Sequence, residues 1–306
     1  MLHRREFLAG SAHALGAACS APLLSGIPQQ SPAPKVATFR LRYAPHFGMF
    51  GAHATSPEDQ VRFLADEGFS ALEDNGMRGR SRDEQERIAA AMEKSRVAMG
   101  VFVANDIDWS NPTLTTGSKD SVDRFVANCH DSVETAKRVH AKWMTVVPGV
   151  VDQRLDPGIQ TAHVVDALRR GAEIFEPHGL VMVLEPLNWR DHPGQFLRYA
   201  AQAFEICRAV NSPSCKILFD AYHQQVSEGN LIPNIERCWS EIAYFQIGDN
   251  PGRCEPGTGE VNWRNLFKFI HGRGFQGILG MEHGNSQPGK SGERAVIDAY
   301  READRF

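Results

Sequence analysis

The sequence carries no excess of basic charge. Its 33 Lys and Arg are outnumbered by 37 Asp and Glu, for a formal net charge of -4. That leaves no electrostatic footprint for a nucleic acid and no polybasic patch for a membrane surface. Beyond the N-terminal segment no apolar run approaches the ~18 residues that a membrane span needs. Cysteine is sparse: Cys19, Cys129, Cys207, Cys215, Cys238 and Cys254, with no CxxC spacing. This excludes a cysteine zinc site and a disulfide framework. Most of the six read as small core residues, with Cys207 and Cys215 a candidate pair in an oxidising compartment. No glycine-rich phosphate loop follows the first strand candidate, which runs into Pro45-His46-Phe47-Gly48. An open doubly wound nucleotide fold would usually place one there.

What is present begins with an export pattern. His3-Arg4-Arg5-Glu6-Phe7-Leu8 supplies twin arginines, an Ala/Gly-rich apolar stretch follows to about Leu24, and SGIPQQSPAPK forms a Pro/Ser-rich spacer. A charged start, an apolar middle and a polar linker are the parts of an export signal. Twin arginines point to the route that carries folded proteins, with a periplasmic or extracellular destination. Residues 1–35 are assigned to this signal and spacer, and residues 36–306 to one folded domain.

Within that domain short β-rich runs alternate with helical periods. Strands are expected at 38–44, 70–74, 97–104, 142–147, 180–186, 215–220, 242–248 and 278–282. Helices are expected near 57–67, 83–95, 119–139, 159–176, 195–210, 229–239, 262–272 and 291–303. Ser56-Pro57-Glu58 places a cap, a first-turn proline and an acid in order, and Gly68, Gly179 and Gly274 stop helices. Eight β units, each followed by a helix, is the count that closes an α/β (β/α)8 TIM barrel as a single domain. The polar stretch 105–118 follows the third strand on the active face and is expected to act as a lid, with Trp109 as an apolar cover or packed on a neighbour.

Four strand ends carry the chemistry. VMVLEPLN, KILFDAYH, IAYFQIGD and ILGMEHGN each climb an apolar run to one polar residue: Glu185, Asp220, Gln246 and Glu282. Parallel barrel strands finish on one face, so these side chains converge on one divalent metal. Two Glu, one Asp and one neutral donor form a hard set suited to Mg or Mn. A metal there polarises a carbonyl and its neighbouring hydroxyl. A carboxylate on either side, Glu185 and Glu282, then moves a proton through an enediolate.

The loops after these residues resemble a known family. LEPLNWRDHPGQFL, DAYHQQVSEGNL, IAYFQIGDNPGRCEPGTGEVNW and GILGMEH are similar to those of hydroxypyruvate isomerases, within the xylose isomerase-like TIM barrels. The resemblance spans roughly residues 38–303, at motif strength from about 180 onward. It implies that Glu185, Asp220, Gln246 and Glu282 bind the metal and that Glu185 and Glu282 are the proton donor/acceptor pair. Gln246 in place of His fits this branch better than the ketose epimerases. His223 stands where related barrels place a substrate-contacting histidine.

Further substrate contacts are expected from the residues near these ends. Arg253 either holds a substrate carboxylate through its planar fork or pairs with Asp249 or Glu255 in its own loop. Arg190 and Asp191 line the mouth. His46 and Glu73 form the far wall of the pocket or support the barrel rim. The expected partner is a small hydroxy-carbonyl substrate, with no nucleic acid, no membrane beyond export, and a homo-oligomer in keeping with barrels of this type. The expected reaction interconverts hydroxypyruvate and 2-hydroxy-3-oxopropanoate. Ketose 3-epimerisation, polyol dehydration on the same site, or an exported non-catalytic binding barrel are the alternatives.

Overall fold

The computed structural model describes residues 39–306. The export pattern, residues 1–35, lies outside the described residues. Nine short strands are present among these: β1 Tyr43–Pro45, β2 Ala71–Leu72, β3 Ala98–Met99, β4 Val101–Val103, β5 Trp143–Val146, β6 Val181–Leu184, β7 Cys215–Asp220, β8 Ile242–Gln246 and β9 Leu279–Met281. All pair in parallel. Seven run in the order β1-β9-β8-β7-β6-β5-β4, and β2 pairs with β3. A bridge from His46 to Glu73 joins β1 to β2. β3 and β4 are one expected strand, interrupted at Gly100. The ring therefore closes as the eight expected units.

Gly100 has a packing reason to be glycine. A Cβ there would run into the Tyr244 hydroxyl, which reaches across the barrel from β8. The barrel interior is filled by Ala44, Ala71, Val101, Val183, Leu218, Tyr244 and Ile278. A second, larger apolar layer lies between strands and helices. Alternation along each strand supplies both layers, because successive side chains point to opposite faces.

Helices α1 Pro57–Asp66, α2 Arg82–Ser95, α3 Lys119–Val139, α4 Pro157–Phe175 and α5 Ala200–Val210 follow the earlier strands. Then come α6 Ala221–Ser227, α7 Leu231–Cys238, α8 Trp263–Gly272 and α9 Gly289–Ala303. Ser56 caps α1 by accepting the Asp59 N–H, and Ser81 with Glu84 forms a complete capping box on α2.

Two segments differ from expectation. Residues 195–199 are not helical: Pro193-Gly194 turns the chain with Gly194 at φ 86°, and Gln195 bridges to Val150. The extra helix α6 starts directly at a strand end, because the Asp220 carboxylate accepts from Tyr222 N and His223 N. Cys129, Cys207, Cys215, Cys238 and Cys254 are all free, and Cys207 and Cys215 are buried neighbours. No helix of the described residues is long and apolar enough to cross a membrane.

Candidate active site

Strands β6, β7, β8 and β9 are consecutive in the sheet, so their ends stand side by side. Asp220 and Gln246 are the last residues of β7 and β8, paired in register; Glu185 and Glu282 come one residue after β6 and β9. Carboxylate oxygens of Glu185, Asp220 and Glu282 and a ring nitrogen of His223 all lie within 4.8 Å of one another. Asp220 and Gln246 are fully buried, Glu185 nearly so, and Glu282 is partly open to the mouth.

This arrangement strains the charge state of the acids. Burial pushes the Glu185 carboxyl well above the usual range, with the charges of Glu282 and Asp220 adding to it. Burial also raises Glu282, while the Arg253 guanidinium opposes the rise. A divalent cation is the natural counterweight to such a cluster. The fourth expected donor supports that fit. Gln246 Oε1 is buried and has no hydrogen-bond partner, while its Nε2 donates to Glu73 Oε1 at 2.9 Å. Three carboxylates and an unsatisfied amide oxygen form a hard-oxygen set.

Arg253 reaches into the same cluster. Its Nη2 donates to Asp220 Oδ2 at 3.0 Å and to Glu282 Oε2 at 2.6 Å, and its Nε donates to the Glu282 carbonyl at 3.1 Å. The guanidinium lies over the Tyr222 ring, 4.9 Å from its centroid. None of these hydrogen bonds uses Nη1. The expected loop pairing with Asp249 or Glu255 does not form. Asp249 spends its oxygens on the backbone amides of Asn250, Gly257, Gly259 and Val261, and Glu255 accepts from Ser286. Asp249 thereby shapes the loop that delivers Arg253.

His223 is buried, and burial lowers its pKa to about 4, so the ring is neutral near pH 7. Asn188 holds the Nδ1 side of the ring. The Asn188 side-chain amide donates to Nδ1 at 2.7 Å, and the Asn188 backbone N–H approaches the same atom at 3.4 Å. Because Asn188 Oδ1 accepts from Arg190 N and Asp191 N, the amide cannot be turned round. Nδ1 is therefore an acceptor, while Arg253 Nη2, which can only donate, lies 3.2 Å from Nε2. Nε2 also stands 3.5 Å from Asp220 Oδ2 and 3.7 Å from Glu185 Oε1.

The remaining expected residues separate. Trp109 comes over the site: its ring stacks on His192 at 5.0 Å, and His192 meets His223 edge-on at 5.3 Å. Asp191 is at the rim, accepting from Tyr222 Oη and Asn188 Nδ2. Arg190 is exposed and stacked over Trp189. His46 turns both ring nitrogens to backbone carbonyls, of Phe47 and His283, and braces the rim instead of walling the pocket. Glu73 is not at the wall either; it is buried against Gln246. The sequence reading missed Asn188 and His192. Both sit within LEPLNWRDHPG, where the polar residues after a strand end were the available signal.

A model of the xylose isomerase-like TIM barrel family matches residues 61–303. The chain belongs to this family. Among curated relatives it is 36% identical over 140 residues to the hydroxypyruvate isomerase of Escherichia coli (strain K12), covering 46% of this chain and 54% of that protein. It is 32% identical over 138 residues to a 2-oxo-tetronate isomerase of Cupriavidus necator, covering 45% and 53%. The chain thus spans about half the length of these relatives. Solved structures share the fold. An AP endonuclease, family 2, from Brucella melitensis superposes with a TM-score of 0.74 at 24% identity, covering 82% of this chain and 96% of the other. An apo 3-keto-D-glucoside 4-epimerase from E. coli gives 0.72 at 17%, covering 87% and 100%.

Proposed function

We propose that the chain is an isomerase of small hydroxy-keto acids, interconverting hydroxypyruvate and 2-hydroxy-3-oxopropanoate or a close homologue. The observation that carries this reading is the pair of carboxylates, Glu185 buried and Glu282 partly open to the mouth, clustered with Asp220 and with the Arg253 guanidinium beside them. The names of the partial-length relatives point to the same substrate class.

Glu185, Asp220, Gln246 and Glu282 would hold a divalent ion, Mg or Mn by the hardness of the set. Once bound, it supplies positive charge beside the substrate's carbonyl and hydroxyl oxygens. The side chains do the rest. One carboxylate of the Glu185/Glu282 pair takes the proton from the hydroxyl-bearing carbon, leaving an enediolate. The other returns a proton to the former carbonyl carbon, while the hydroxyl proton passes to the neighbouring oxygen. Burial suits both acids to this role, since a base whose pKa is raised towards the working pH gives and takes protons more readily. His223 faces the substrate through Nε2, beside Arg253 and Asp220. Arg253 offers Nη1 to the substrate carboxylate. Trp109 and His192 cover the mouth and exclude water.

Purified protein assayed with hydroxypyruvate, with and without Mg or Mn, tests this. Glu185→Gln is expected to lower turnover by at least ~100-fold, the scale of a lost acid/base group. Undiminished turnover in that variant, or none in the wild type with either metal, would count against the proposal.

A further inference from the structure

Beneath the acid cluster lies a buried polar group with no part in the chemistry above. Glu73 directly follows β2, with 1% of its surface exposed. Its Oε1 accepts from Gln246 Nε2 at 2.9 Å and its Oε2 accepts from Tyr244 Oη at 3.0 Å. Two glycines make room for this triad. A Cβ at Gly280 would run into Glu73 Oε2, and one at Gly100 into the Tyr244 hydroxyl. Burying a carboxyl in a barrel interior is costly unless its oxygens are satisfied. Here they are, and the partner they satisfy is the amide of Gln246.

A glutamine amide has two ends that differ only by a flip. Toward a cation they are opposites, since the oxygen is a ligand and the NH2 is not. Nothing within Gln246 decides which end faces the cluster. The Glu73 oxygen beside it accepts a hydrogen bond and so takes the NH2. The oxygen is then left facing away, buried and without a partner.

We propose that Glu73 is a positioning residue. It holds the Gln246 amide by its nitrogen so that the oxygen is presented to the site. Tyr244 and the two glycines hold Glu73 in turn. The inference rests on the proposed reading of Gln246 as a cation donor. Partners behind a metal ligand are typically worth ~10–100-fold in metal affinity.

The test is Mn titration of the purified protein, with free Mn followed by its paramagnetic resonance signal and folding checked by circular dichroism. Glu73→Met is expected to weaken binding ~10–100-fold. Glu73→Gln keeps an oxygen for the Gln246 NH2 and is expected to stay within ~3-fold of wild type. Gln246→Leu should weaken binding as Glu73→Met does, and the double variant should be no weaker than Gln246→Leu alone. Wild-type affinity in a folded Glu73→Met variant, with binding lost in Asp220→Asn, would overturn the positioning role and leave the metal site standing. Absence of Mn binding in the wild type would instead remove the reading on which the inference rests. Should Glu73→Met not fold, the Gln246 side-chain amide of the wild type can be followed by nuclear magnetic resonance. Its protons are expected to be protected from exchange with and without Mg; release of that protection by Mg would overturn the proposal.

Discussion

At the scale of single residues, Arg253 shows what a planar fork does that a point charge cannot. Nη2 reaches two carboxylates while Nε reaches the Glu282 carbonyl, and the flat face rests on Tyr222. A lysine has one charged nitrogen and no flat face. Arg253→Lys is therefore expected to raise KM for hydroxypyruvate by ~10–50-fold, equivalent to about 1.4–2.3 kcal/mol, with a smaller fall in kcat. A KM within twofold of wild type would show that Arg253 does not hold the substrate. The four strand-end residues were legible because each apolar run ends on a single polar side chain. The partners of Arg253 were not. They lie 33 and 29 residues away, on β7 and just past β9, and the pairing of both strands with β8 brings them to the loop. Glu73 was misplaced for a related reason. Its strand position was read correctly, but its depth depends on Gly280 of another strand.

At the scale of elements, the segment from Asp249 to Val261 is a loop organised by one carboxylate. Asp249 Oδ1 accepts from Asn250 N at 2.9 Å and Val261 N at 3.1 Å; Oδ2 accepts from Gly257 N at 2.8 Å and Gly259 N at 2.9 Å. Removing one acceptor orphans four donors at once. Asp249→Ala is expected to cost about 3 kcal/mol and to lower Tm by ~6–12 °C, measured by calorimetry. Turnover should fall with it, because the loop carries Arg253. A Tm within ~2 °C of wild type would mean that the loop holds its shape without Asp249. The helices and strands themselves were largely legible, since periodicity and caps are local signals. α6 was not, because its start depends on Asp220 serving as both strand end and cap. The non-helical stretch 195–199 was hidden by an apolar pattern that the Pro193-Gly194 turn overrides.

At the scale of the whole molecule, the ring of helices closes where the last meets the first. Glu67, just past α1, accepts from both terminal nitrogens of Arg294 at 2.7 Å and from Arg301 Nη2 at 2.9 Å, both arginines on α9. The number of βα units foretold that closure, but not the side chains that fasten it, which stand more than 200 residues apart. The hydrogen bonds from Arg294, then the charges of Arg294 and Arg301, hold the Glu67 carboxyl below the usual range against its partial burial. A carboxyl with a lower pKa folded than unfolded contributes stability above the unfolded value, near ~4.3. That contribution is lost as pH falls through the folded value. Glu67→Gln is expected to lower stability by about 1 kcal/mol at pH 7, since Arg294 is substantially exposed and its share is screened. In thermal melts this is a Tm lower by ~2–4 °C. The gap should narrow below pH ~4.3 and close once the wild-type carboxyl is protonated. A gap that stays constant into acid would mean that packing of the side chain, and not its charge, joins α9 to α1.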